Sequence, residues 1–189
     1  MEISSRLSEE ISAIEASTSL SLEIGTDAYF DIIKGILNAS NEGSNLSLIY
    51  IAATVPAEAI INAMQMIGLD HRNVNFIDCI SNMITGQQKH SDRIIYIESP
   101  TMLENIMLKV EFLRRKMAGR RIAVVVDSLN TLHIHNDWKI LGEFLHILVN
   151  NMRSRNASVI IISIKEQETQ EGSTLLALVS DRVLQAGDG

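Results

Sequence analysis

The chain has 189 residues, 46% of them hydrophobic and 21% charged, with a formal net charge of −7. That composition, with a mean hydropathy of +0.14, excludes a disordered or collagenous chain and suits one domain whose core needs no staple. A single cysteine (Cys79) excludes an internal disulfide, no Cys/His set has zinc spacing, no apolar run approaches a membrane span, and the polar, acidic opening MEISSRLSEE is unlike a secretory leader, which together fit a reducing cytoplasm.

The charge is unevenly placed. Residues 1–60 hold nine acids against two bases, Arg6 and Lys34, whereas residues 61–189 hold fourteen of each. The N-terminal third is therefore a poor place for an anion such as a nucleotide phosphate, and the whole chain is no electrostatic magnet for nucleic acid.

In chain order, Ile3, Leu7, Ile11 and Ile14 form one stripe of an amphipathic helix within residues 1–17. Ser19–Ile24 alternates polar and apolar residues and reads as a strand, broken by Gly25-Thr26-Asp27. Asp27–Leu37 follows as a helix with Phe30, Ile33 and Leu37 on one face, and Asn38–Asn45 is a loop. Leu46–Ala53 is a strand. Pro56 opens a helix through Ile67, which Gly68 ends.

Val74–Ile77 and Arg93–Glu98 are strands separated by the polar, irregular segment Ile80–Asp92. Ser99-Pro100 reads as an N-cap and first helical residue for a helix over 100–117, with Leu103, Met107, Val110 and Leu113 inward. Ile122–Val126 is a β-branched run fit for a strand buried on both faces, terminated by Asp127. A helix capped by Asn136 or Asp137 runs to about Ser154. Then come a buried strand at Ala157–Ile164, a polar loop at Gln167–Ser173, a short element at 174–180 and a last strand at Arg182–Gln185. Strands alternating with helices predict an α/β domain over 18–189, with a mainly parallel sheet between helical layers.

Three stretches carry a resemblance. IAVVVDSLNTL (122–132) resembles a Walker B segment. LIYIAATVPAEAI (48–60), followed by MQMIGLD (64–70), is similar to a strand, turn and Pro-led helix of KaiC-type proteins. ASVIIISIKEQ (157–167) with LVSDRVLQ (178–185) resembles that family's sensor strand and closing strand. From about Ser19 to Gln185 the order of elements resembles the RecA-like P-loop ATPases, and among them the single-domain KaiC-type members found widely in archaea. The resemblance implies a three-layer RecA-like fold and a nucleotide site at Gly25, Thr26, Asp127 and Ser128, where the ends of the first and the Walker B-like strands converge.

The chain departs from that pattern where phosphate would bind. A P-loop places G-x-x-x-x-G-K-[ST] between strand and helix, so that backbone N–H groups and a lysine meet phosphate and a hydroxyl holds magnesium. The equivalent stretch is LEIGTDAYFDII (22–33), where Asp27 falls on the lysine and Ala28 on the hydroxyl. Ala53 and Thr54 stand where the family carries acids that position the attacking water. The expectation is a degenerate Walker A motif, no catalytic residue, no bound metal or cofactor, and an interaction or regulatory module that associates with itself or with another protein. The alternative is a nucleotide-binding protein with an unorthodox loop, using Gly25, Thr26 and Asp127 with ATP and magnesium. An unrelated α/β enzyme is a third reading, for which the chain offers no catalytic constellation.

Other residues have plainer readings. His133 and His135 are polar loop residues rather than metal ligands, since a metal needs three or four converging groups. Arg114, Arg115, Lys116, Arg120 and Arg121 suit a helix C-terminus, and one interleaved aromatic, Phe112, is too little for base stacking. Trp138 is a packing residue, and Cys79 an inert, buried thiol.

Overall fold

The computed structural model describes residues 3–41, 43–86 and 91–186. Among them, seven strands build one wholly parallel sheet: β1 (Ser19–Ile24), β2 (Leu46–Ala52), β3 (Val74–Asp78), β4 (Ile94–Tyr96), β5 (Arg121–Asp127), β6 (Ser158–Ile164) and β7 (Arg182–Ala186). Their order is β4-β3-β2-β5-β6-β1-β7. The helices are α1 (Ile3–Ser12), α2 (Tyr29–Asn38), α3 (Ala57–Met66), α4 (Ser81–Thr85), α5 (Leu103–Lys116), α6 (Leu129–His135), α7 (Trp138–Arg153) and α8 (Gln170–Val179).

Two cores flank the sheet. Leu48, Tyr50, Ala52, Ala123 and Val125 face α1, α2 and α3. The alternate residues Ile49, Ile51, Val124 and Val126 face α5 to α8. This is the three-layer architecture the sequence predicts. Ala123–Val126 is fully buried and Ile122 only 6% exposed, so β5 is covered on both faces; each fully buried Val or Ile contributes about 1.5–3 kcal/mol.

The N-terminal stripe is spent inside the chain. Leu7, Ile11 and Ile14 are buried against the first core. A Cβ on Gly35 would lie 2.7 Å from the Ser4 carbonyl oxygen, so only glycine lets α1 approach α2 this closely. The Arg121 guanidinium donates to the carbonyls of Ser12 and Ile14, each at 2.9 Å, and closes the C-terminal end of α1. Three of the four stripe residues are thus taken up by the chain's own core, Ile3 staying 38% exposed, and Arg121 leaves the basic cluster. In the same cluster, Arg114 and Arg115 both pair with Glu111 at 2.8 Å, and the Arg114 guanidinium holds the Glu111 carboxyl down at about 2.

Several elements differ from expectation. The chain enters α2 through a tight 3-10 turn, Thr26–Ala28; Ile33 and Leu37 are buried as expected, together with Tyr29, Ile32 and Ile36, and Phe30 is 70% exposed. Pro100 does not open α5. Ser99 instead bonds Thr101 locally, and the helix starts at Leu103. Ile106 takes the inner place expected of Met107. His133-Ile134-His135 lies in α6, which Ser128 caps, and not in a loop. The expected loop at 167–173 contains the start of α8, with Thr169 as its N-cap. The segment 80–92 holds α4, and its residues 87–90 lie outside the described residues.

Candidate functional site

The carboxyl edge of the sheet gathers the residues that the sequence singles out. β1 leaves the sheet at Ile24, and Gly25 alone separates it from the 3-10 turn that opens α2. The Thr26 N–H points at Glu166, which follows β6, and both carboxylate oxygens accept it at 3.1 and 3.2 Å. That hydrogen bond holds the Glu166 carboxyl below the usual carboxylate range. A carboxylate thus meets the start of the helix, where the unsatisfied N–H groups favour negative charge.

Asp127 ends β5 and is fully buried. Tyr29, the first residue of α2, donates its hydroxyl to Asp127 Oδ2 at 2.7 Å, and Tyr50 in β2 donates to the same oxygen at 2.6 Å. Tyr29 thereby ties the end of the Walker B-like strand to the segment after β1, so the two strand ends converge although β6 lies between them. Asp127 Oδ1 is buried without a hydrogen-bond partner. Burial pushes the Asp127 carboxyl up, against the lowering pull of the Tyr50, Tyr29 and Thr54 hydroxyls. Both phenols are raised well beyond their ordinary value, by burial first and then by Asp127.

Beside this group lies a ring of hydroxyls. Thr54 Oγ1 is 2.9 Å from Thr131 Oγ1 and donates to Ser128 Oγ at 3.2 Å, and Ser128 Oγ is 3.0 Å from Thr131 Oγ1. Ser128 also caps α6 by accepting the Thr131 N–H. Gly25 and Ser128 are buried and Thr26 is exposed, so the four residues expected at a nucleotide site do reach one edge. Asp127 Oδ2 and the Ser128 hydroxyl, however, are bonded to partners within the chain.

A second buried aspartate ends β3. Asp78 accepts from the Ala57, Ile80 and Ser81 N–H groups at 2.8, 3.0 and 2.8 Å and from the Ser81 hydroxyl at 2.7 Å. It fixes the starts of α3 and α4 against the sheet. Cys79 beside it is fully buried, and burial raises its thiol far above the ordinary range. His133 stacks on Trp138 at 3.8 Å. Among the described residues no three His, Cys, Asp or Glu side chains gather as metal ligands, and no helix is long and apolar enough to cross a membrane.

Sequence reasoning passes over Tyr29, Tyr50 and Glu166. One signal was available for Tyr50, the single aromatic in LSLIYIA (46–52): a phenol in a wholly buried strand must find an acceptor. Each of the chain's three tyrosines is bonded to a carboxylate; the third, Tyr96, donates to Glu58 at 3.3 Å and is pushed up to about 12, mainly by burial.

Residues 32–185 match the family model described as ATPase: KaiC. The chain belongs to the KaiC family of ATPases. Solved structures share the fold of this KaiC-family chain at low identity. A KaiC-like protein from the hyperthermophilic archaeon Pyrococcus horikoshii is 12% identical, with a TM-score of 0.63 over 90% of this chain and 72% of its own. An uncharacterized protein from the same organism, in complex with an unknown peptide, is 13% identical, with a TM-score of 0.66 over 95% and 81%. The flagellar accessory protein FlaH from Methanocaldococcus jannaschii is 12% identical, with a TM-score of 0.57 over 95% and 76%. No curated protein matches the sequence.

Proposed function

We propose that this KaiC-family chain neither binds nor hydrolyses ATP and works as a protein-interaction or regulatory domain of the cytoplasm. The observation that carries the reading is the single-residue connection at Gly25 between β1 and the turn opening α2. Phosphate binding at this place needs a glycine-rich loop of several N–H groups and a lysine. Here the segment offers Thr26, Asp27 and Ala28, and the Thr26 N–H is already taken by Glu166.

Two further features support it. Asp127 lies under two phenols, so a metal ion would have to displace Tyr29 and Tyr50 to use Oδ2. Ala53 and Thr54 provide no carboxylate to orient an attacking water. Gly25, Thr26, Asp127 and Ser128 are on this reading a vestigial nucleotide site with a degenerate Walker A motif. The peptide held by the Pyrococcus horikoshii neighbour is a precedent for protein contact on this fold.

A thermal melt with excess ATP and magnesium tests the reading. A ligand at one hundred times its Kd stabilises by about 2.7 kcal/mol, so a working site would move the midpoint by several degrees. No shift is expected. A shift that saturates with nucleotide would favour the unorthodox-loop alternative.

A further inference from the structure

The helices on the two faces of the sheet carry opposite charge. On one face α1, α2 with its leading turn and α3 hold five acids against two bases, Arg6 and Lys34. On the other, residues 103–120 and 138–155, which hold α5 and α7, carry eight bases against three acids. The remaining acids of that layer gather elsewhere. Glu166, Glu168 and Glu171 lie before and within α8, and α7 stands between α8 and α5.

The positive excess around α5 is not neutralised within the chain. Glu111 meets Arg114 and Arg115 at 2.8 Å and Arg155 at 3.9 Å, so one carboxylate serves three guanidinium groups. Lys109, Lys116 and Arg120 are exposed and have no ion pair among the described residues. Apolar side chains stand out between these bases. Leu108 and Phe112, one turn apart on α5, are 66% and 56% exposed, and Ile140 and Ile147 on α7 are each 52% exposed. The inward faces of the same two helices already fill the second core through Val110, Leu113, Leu141, Leu145 and Leu148. A single exposed apolar residue is ordinary, whereas four on one basic face mark a contact surface.

We propose that this α5–α7 face rests on an anionic lipid surface, with Leu108 and Phe112 among the headgroups and Lys109, Lys116 and Arg120 against their phosphates. Positive charge spread around protruding apolar side chains suits a partner that is negative everywhere and yields to the side chains. The lysine stems can lie along the apolar residues while their ammonium groups stay in water. A second copy offering the same face would set base against base. The acidic α1–α3 layer on the far side of the sheet fixes the direction of approach, because an anionic surface attracts α5 and repels α1 to α3. The inference goes beyond the reading of the chain as an ATP-free domain, and its face shares no residue with the sheet edge that holds Asp127.

Flotation of the full chain with lipid vesicles tests it. The chain is expected to rise with phosphatidylcholine vesicles containing about one third phosphatidylglycerol, and not with phosphatidylcholine alone. Raising the salt from about 0.1 M to about 0.5 M should release most of it. Phe112→Glu, and separately Lys109→Gln with Lys116→Gln, should each weaken binding at least about fivefold. Phe30→Glu is the control: Phe30 is also exposed, but on the acidic layer, and this variant should bind as the parent does. Circular dichroism and melting unchanged from the parent exclude misfolding as the cause of a loss. A parent that rises with neither kind of vesicle overturns the proposal and leaves the face to an acidic protein. Equal binding to neutral and anionic vesicles overturns it too. So does binding indifferent to Phe112 and the two lysines, or binding lost equally on Phe30→Glu.

Discussion

Asp78 and Asp127 end the strands on either side of β2, both fully buried at one edge of the sheet, yet they are satisfied in opposite ways. Asp78 has donors on both oxygens, three of them backbone N–H groups of two helix starts. Asp127 crowds two phenols onto one oxygen and leaves the other bare. A carboxylate retained for stability alone would be expected to resemble Asp78. The incomplete satisfaction of Asp127 costs folding energy, and it falls at the end of the Walker B-like strand.

The largest expected effect comes from breaking the satisfied member. Asp78→Ala orphans three backbone N–H groups at buried and half-buried helix starts, each worth about 1–3 kcal/mol. Urea denaturation should show a loss of at least ~3 kcal/mol. A loss well under 1 kcal/mol would remove Asp78 as the tie between α3, α4 and the sheet.

Next comes Asp127→Asn, which keeps an acceptor for both phenols and removes a buried charge. Stability near neutral pH should change by less than about 1 kcal/mol, or rise. Its pH dependence carries the sign. Burial raises the folded-state carboxyl above its unfolded value, so the folded protein holds that proton more tightly. Stability from this group then falls as pH rises from the ordinary carboxylate range through the raised value. The advantage of Asp127→Asn over the parent should therefore be smallest near about pH 4 and grow toward about pH 7. An advantage that grows on acidification would contradict it. Glu111 supplies the opposite sign: held down at about 2 by Arg114, it contributes above the ordinary carboxylate range and is lost as pH falls toward that value.

Glu166→Gln should have the smallest effect, because the Glu166 contact with Thr26 is exposed. It keeps an acceptor for the Thr26 N–H and should leave the denaturation midpoint unchanged at neutral pH. A clear loss of stability would make Glu166 a structural tie equal to Asp78.

Most of the architecture was legible because fully buried parallel strands read as apolar runs: Ile122–Val126 and Ala157–Ile164 admit no exposed face. The misses share a cause in short-range geometry. The start of α2 depends on the turn at Thr26–Ala28 and on Tyr29 reaching Asp127, and no helical period records a contact between residues 98 positions apart. The short helix α6 buries Leu129, Asn130 and Leu132 and continues into His133-Ile134-His135, too brief a stretch for periodicity to speak. At the site, the absence of lysine at 25–30 was readable from residue type alone. The phenols over Asp127 were not, since their approach follows from strand order.

Phosphate release from millimolar ATP by the unmodified chain with magnesium present is the most direct test of an ATP-free function. None above the rate without protein is expected, and no difference on changing Asp127 to Asn. Release that the parent sustains and Asp127→Asn abolishes would contradict it, since Asp127 would then be working on nucleotide.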